Sequence, residues 1–302
     1  MEINVTELIK NAIQSTASWR HDDSIQTAED MIPHMRTMLN EENYPKKYIE
    51  NIQYGDSEDA KMDIYFPENH QSKCPVFMEV HGGAWYFGQK SSIEFMPFLH
   101  GLERGYVCVS VGYTLSPKAV YPQAVIEIKQ AIDYLKKNAD KYNIDPDRIV
   151  LWGGSAGAHL AALASYSTYT GYLDNQFKWD SKVKMLVLWY GCFNYHLGKR
   201  LERWEYQNFY GDADLNNVSD KIILSNPGAH ITSDIPFTLL QHGINDGLVP
   251  CEQSKYIHDN IKAIAGSDRC QLELIEGCDH ADAKMFAQEF VEKMFDTIDK
   301  HI

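Results

Sequence analysis

The chain has 302 residues, 44% hydrophobic and 23% charged, which is enough apolar material for one large α/β domain or two small ones. A formal net charge of −14 argues against nucleic acid or an anionic membrane as the main partner, and no stretch approaches the roughly 18 consecutive apolar residues of a membrane span. The six cysteines, at 74, 108, 192, 251, 270 and 278, form neither a CxxC pair nor a metal-ligand spacing. Scattered free thiols and an opening Met1-Glu2-Ile3-Asn4 without an apolar leader together predict a cytoplasmic protein.

In chain order, residues 5–16 and 26–40 show helical periodicity, with Ile9, Ile13 and then Met31, Met35 and Met38 on apolar faces. Such a methionine-rich segment, 1–45, serves either as adaptable packing or as a cap over a site. From residue 46 onward the pattern becomes that of a second unit, 46–302. Lys61–Phe66 alternates like a half-exposed strand, and the chain near 50–66 suits an antiparallel edge. Short apolar runs follow at 75–80, 106–111, 149–152, 183–189, 237–241 and 271–275. Between them lie helical stretches at 91–104, 122–140, 156–166, 251–265 and 281–299. Strands alternating with helices predict a mostly parallel central sheet flanked by helices, the α/β class. The aromatic excursion at 192–235, with Phe193, Tyr195, Trp204, Tyr206, Phe209 and Tyr210, breaks this rhythm and reads as a lid-like insertion or as a packed helical insert.

The chemistry is concentrated where strands end. Gly153-Gly154-Ser155-Ala156-Gly157 is a G-x-S-x-G pentapeptide between the strand-like Arg148–Trp152 and a small-residue helix. That context predicts a sharp turn holding the Ser155 hydroxyl at a helix N-terminus as a nucleophile. A serine hydroxyl needs a base, and the base needs a partner to fix its tautomer. Asp246 follows the run 237–241 and His280 follows the run 271–275, which puts serine, acid and histidine in the order of a nucleophile-elbow enzyme. Asp279 is the competing acid, and His242 and His258 are the competing bases. The turn His81-Gly82-Gly83-Ala84-Trp85 follows the run 75–80. Its Gly82 and Gly83 amides, with that of Ala156 and with Ala84 as a further donor, are expected to form an oxyanion hole. His81 is expected to orient this loop, and Trp85 and Tyr86 to shape the substrate pocket. No cofactor or metal motif is present, so none is expected.

On Ser155, Asp246, His280 and the His81-Gly82-Gly83 turn, the chain resembles the α/β-hydrolase superfamily over residues 50–300, and most the esterase/lipase branch related to hormone-sensitive lipase. Trp152-Gly153-Gly154-Ser155-Ala156-Gly157-Ala158-His159 is similar to that branch's elbow, and Gly112-Tyr113-Thr114-Leu115-Ser116-Pro117 to its Tyr-Arg-Leu-Ala-Pro segment. The resemblance implies an α/β-hydrolase fold and a serine carboxylic-ester hydrolase acting on a small-molecule ester; short acyl chains are expected because no long apolar channel is visible in the sequence. Ala84 stands where the branch often has a third glycine, and Trp85 follows it. That HGG-aromatic form resembles aryl formamidases and carbohydrate acetyl or feruloyl esterases, which are the alternative readings. Oligomeric state is not legible.

Overall fold

A computed structural model of the chain describes residues 45–70, 72–91, 96–197 and 203–302. The helices expected at 5–16 and 26–40 lie outside the described residues. One sheet of eight strands organises the rest: β1 (Tyr48–Gln53), β2 (Lys61–Tyr65), β3 (Cys74–Val80), β4 (Val107–Val111), β5 (Ile144–Gly154), β6 (Met185–Trp189), β7 (Phe237–Gly243) and β8 (Cys270–Ile275), in the order β1-β2-β4-β3-β5-β6-β7-β8. The pairs β1–β2 and β2–β4 are antiparallel and every other pair is parallel. Six helices are the longest described: α1 (Met96–Glu103), α2 (Gln123–Lys137), α3 (Ala156–Thr170), α4 (Arg203–Tyr210), α5 (Glu252–Ile264) and α6 (Gln288–Ile298). None of the described helices is long and apolar enough to cross a membrane.

Both faces of the sheet are buried, and successive side chains divide between them. Val76, Met78 and Val80 of β3 join Leu151 and Leu186 beneath α2 and α3. Phe77 of the same strand points the other way. It stacks on Trp152 at 5.3 Å and meets Phe295 of α6 at 4.9 Å. Helix α3 is buried from Ala156 to Ser167, which explains its run of alanines, glycine and serines: bulkier side chains would not fit on every face. All six cysteines are free and buried.

Two expectations of extent need correction. β5 begins at Ile144, well before the apolar run at 149–152, because Cys74 pairs with Ile144 across a register shift before Val76 pairs with Ile149. Asp145-Pro146-Asp147 falls within that register shift, where Asp147 N donates to Asp145 Oδ1 at 3.0 Å, and the strand runs through it between the two paired positions. The helix expected over 281–299 is split. The Asp282 side chain accepts from Lys284 N and caps a single turn at Ala283–Phe286, Ala287 is extended, and α6 starts only at Gln288. His280 therefore stands on a turn ahead of that region rather than at the start of the last helix.

Candidate active site

At the C-terminal end of β5 the backbone reverses into α3. Ser155 sits at the apex with φ 55° and ψ −122°, a left-handed conformation that costs an ordinary residue about 1–3 kcal/mol. The reversal brings α3 against the end of β3 so closely that a Cβ on Gly157 would lie 2.0 Å from the Val80 carbonyl oxygen. Glycine is therefore obligatory there, and this contact sets the elbow beside the His81-Gly82-Gly83 turn. The Ser155 amide donates to the Trp189 carbonyl at 2.9 Å and fixes the elbow to β6.

The hydroxyl of Ser155 donates to His280 Nε2 at 3.0 Å, and His280 Nδ1–H donates to Asp246 Oδ2 at 2.7 Å. Because the carboxylate faces Nδ1, the neutral ring carries its proton there and leaves Nε2 free to accept. The Asp246 side chain is fully buried and that of His280 nearly so. Burial by itself would raise the Asp246 pKa, but the charge and hydrogen bonds of His280 and His242 hold it well below the usual carboxylate range. Asp246 Oδ1 accepts the amides of Leu248 and Val249, at 2.9 and 2.7 Å. The Tyr190 ring meets the His280 ring edge-on at 4.8 Å, which limits how far the imidazole can swing.

The acid loop and the histidine loop are bonded to each other before either meets Ser155. Ile244 N donates to the Ile275 carbonyl and Asn245 N to the Cys278 carbonyl, while Gly277 N donates to Asn245 Oδ1 at 3.0 Å. Asp279, the rival acid, faces backbone instead of an imidazole: its Oδ1 accepts Gly247 N and His280 N, both at 2.7 Å. It thereby braces one loop against the other. The competing bases lie elsewhere. His258 pairs with Asp259 on α5, and His242 lies behind Asp246. Burial pushes the thiols of Cys192 and Cys278 up to about 12, so neither offers a thiolate nucleophile near neutral pH.

In the turn after β3, three carbonyls are engaged and the following three amides are not. Tyr113 donates its hydroxyl to the His81 carbonyl at 2.9 Å, and His81 Nδ1–H donates to the Gly82 carbonyl at 2.8 Å. The Gly83 carbonyl accepts Tyr86 N and Phe87 N. In a trans peptide the N–H points opposite to the C=O, so fixing each carbonyl aims the amides of Gly82, Gly83 and Ala84 the other way. Among the described residues none of these three amides donates to a protein acceptor, nor does that of Ala156 at the start of α3. Gly83 has φ 118°, and a Cβ there would lie 2.1 Å from the Phe87 carbonyl oxygen. The His81 ring stacks on Tyr113 at 4.3 Å, and burial lowers its pKa to about 4, which keeps it neutral.

Trp85 is 2% exposed. It stacks on Phe209 of α4 at 4.5 Å and donates Nε1–H to His159 Nδ1 at 3.1 Å. His159, neutral because burial lowers its pKa to about 4, donates Nε2–H to the Ser225 carbonyl. Trp85 thus ties the turn to α3 and to the segment between β6 and β7. Tyr86 is half-buried and meets Trp204 edge-on at 5.7 Å. The parts that sequence reasoning missed are Tyr113, Tyr190, Ser254 and the bracing role of Asp279. Tyr113 lay inside a quoted motif, but nothing in its spacing reveals a hydroxyl bonded across 32 residues.

Residues 62–261 match the BD-FAE family. The chain is 30% identical over 211 residues to the probable carboxylic ester hydrolase LipM of Mycobacterium tuberculosis, covering 67% of this chain and 48% of that protein. It is 28% identical over 271 residues to the isoprenylcysteine alpha-carbonyl methylesterase ICME of Arabidopsis thaliana, covering 84% and 62%. The chain thus spans between about half and three-fifths of the length of these relatives. Among solved structures, a truncated carbohydrate esterase from gut microbiota superposes with a TM-score of 0.76 at 22% identity, covering 86% of this chain and 98% of that one, a likeness of fold.

Proposed function

The chain belongs to the BD-FAE family of α/β-hydrolase esterases, and we propose that this protein is a serine carboxylic-ester hydrolase acting on short-chain acyl esters. The observation that carries the reading is the continuous relay Ser155–His280–Asp246, with contacts of 3.0 and 2.7 Å. In the proposed cycle His280 Nε2 takes the hydroxyl proton as Ser155 attacks the ester carbonyl. The amides of Gly82, Gly83 and Ala156 receive the oxyanion. Each such donor contributes about 3 kcal/mol of transition-state stabilisation. The imidazolium, stabilised by Asp246, then protonates the leaving alcohol. Water, deprotonated by the same Nε2, attacks the acyl-enzyme, and collapse of the second intermediate returns the proton to Ser155.

Short acyl groups are favoured by the aromatic side chains crowding the turn. Tyr86 and Phe87 both meet Trp204 edge-on, and buried Trp85 holds the turn against α4. Tyr86 and Trp85 are proposed to shape the pocket in these two different ways, Tyr86 as wall and Trp85 as support. Turnover of p-nitrophenyl acetate and p-nitrophenyl butyrate tests the reading, with acetate expected to be at least as good a substrate as butyrate. Absence of turnover by the wild type, or equal turnover by Ser155→Ala, contradicts it. Ranking an N-formyl aniline against a matched ester by kcat/KM separates ester from amide hydrolysis.

A further inference from the structure

Asp246 Oδ2 meets two imidazoles, of which the relay uses one. The second belongs to His242, near the end of β7, whose side chain is fully buried. His242 Nε2 lies 3.1 Å from Asp246 Oδ2 and 2.9 Å from the Val249 carbonyl oxygen, and its Nδ1 lies 2.7 Å from Ser254 Oγ on α5. A carboxylate and a carbonyl can only accept, so Nε2 must carry a hydrogen, which the two share. In the neutral ring Nδ1 is then bare, and the rotatable Ser254 hydroxyl donates to it. The two acceptors therefore fix the tautomer of His242, and Ser254 holds the ring in place through its other nitrogen.

An ionised carboxylate offers about four acceptor sites. In Asp246 two are filled on Oδ1 by the Leu248 and Val249 amides, and two on Oδ2 by His280 and His242. A carboxylate bonded on every side cannot rotate about its terminal torsion without breaking a buried hydrogen bond. Removing the His242 donor would leave Oδ2 with an empty acceptor site on a buried side chain and free the group to turn away from His280.

We propose that His242 is a positioning residue of the triad: it locks the Asp246 carboxylate in the plane that receives the His280 Nδ1–H, and Ser254 holds the imidazole in the orientation that allows this. Its kinetic consequence rests on the ester-hydrolase reading, and its structural consequence does not. His242→Leu removes the donor at similar volume. His242→Gln places an amide N–H near the Nε2 position, and Ser254→Ala releases the ring with little change of volume.

The experiment measures kcat and KM on p-nitrophenyl acetate, together with the downfield proton NMR resonance of the His280 Nδ1–H. His242→Leu is expected to lower kcat about 10- to 100-fold. KM should stay within about twofold, since only transition-state stabilisation is lost. His242→Gln recovers most of that loss, and Ser254→Ala gives a smaller fall of the same kind. The His280 resonance shifts in the Leu variant and returns in the Gln variant. An unmoved resonance, an unchanged kcat, or equal losses in Leu and Gln overturns the proposal. If His242→Leu does not fold, Ser254→Ala carries the same test. If the wild type hydrolyses no ester, the activity reading fails, and the resonance still decides whether His242 positions Asp246.

Discussion

The two halves of the site are built by different forces. On the Ser155 side, the elbow and the turn after β3 are set by backbone shape: Gly157 admits no Cβ against Val80, and Ser155 and Gly83 hold left-handed conformations that flanking strands and helices enforce. On the acid–base side, the loops after β7 and β8 are set by side-chain hydrogen bonds: Asp246 accepts four donors and Asp279 two, while Asn245 joins one loop to the other. The difference teaches where damage should appear. Added bulk at Gly157 or Gly83 on the first side meets a steric wall and shows in folding. A change on the second side loosens the proposed proton relay and is expected to show in kcat.

The comparison can be broken most directly at the nucleophile. Ser155→Ala is expected to lower kcat on p-nitrophenyl acetate by roughly a million-fold while leaving the melting curve nearly unchanged. Residual turnover within tenfold of wild type places the nucleophile elsewhere. Asp246→Asn keeps the volume but turns an NH2 against N–H donors that the carboxylate accepts, and should lower kcat by about 10⁴-fold with a smaller accompanying loss of melting temperature. Gly157→Ala should behave in the opposite way. Its new Cβ meets backbone at 2.0 Å, a collision that no rotamer relieves. Destabilisation above about 4 kcal/mol by urea titration is expected, and a variant of normal stability would show that α3 can retreat.

Smaller effects sharpen the contrast. Asp279→Ala removes the acceptor shared by Gly247 and His280 and is expected to lower kcat about 10- to 100-fold with little change in KM. An equal rise in KM would instead mean that the loops bind substrate. The mildest prediction concerns pH. His81 and His159 are buried neutral, with pKa lowered by burial to about 4 in each case. In the unfolded chain both titrate near 6.5, so the unfolded state binds more protons below that value. The stability these residues allow is complete above about pH 6.5 and is lost as pH falls towards about 4. Calorimetry should show Tm dropping by roughly 5 °C across that window. A Tm that stays level there contradicts the neutral, buried assignment.

Much of the frame was legible because burial writes itself into residue pattern. Apolar runs marked the strands from β3 to β8, and small residues marked α3, since a helix packed on every side has little room for large ones. Ser155, Asp246 and His280 each follow such a run, so topology alone brought them to the same end of the sheet. What stayed illegible depends on contacts distant in sequence. Asp145-Pro146-Asp147 lies inside β5 because the residues on either side of it, Ile144 and Ile149, pair with β3. Asp279 looked like a rival acid because type and adjacency do not reveal that its oxygen faces two amides. His242 looked like a rival base because the carboxylate it faces is reached only after the loop has folded back. Trp85 looked like a pocket wall, and its burial against Phe209 and His159 became visible only with the insertion in place.

The central claim is that His280 activates Ser155. A fluorophosphonate probe followed by peptide mass spectrometry tests it without choosing a substrate. The account predicts phosphonylation of wild type at Ser155 alone, and labelling of His280→Ala slowed by several orders of magnitude although the serine is intact. Label on another residue, or equal labelling of the two proteins, would contradict it.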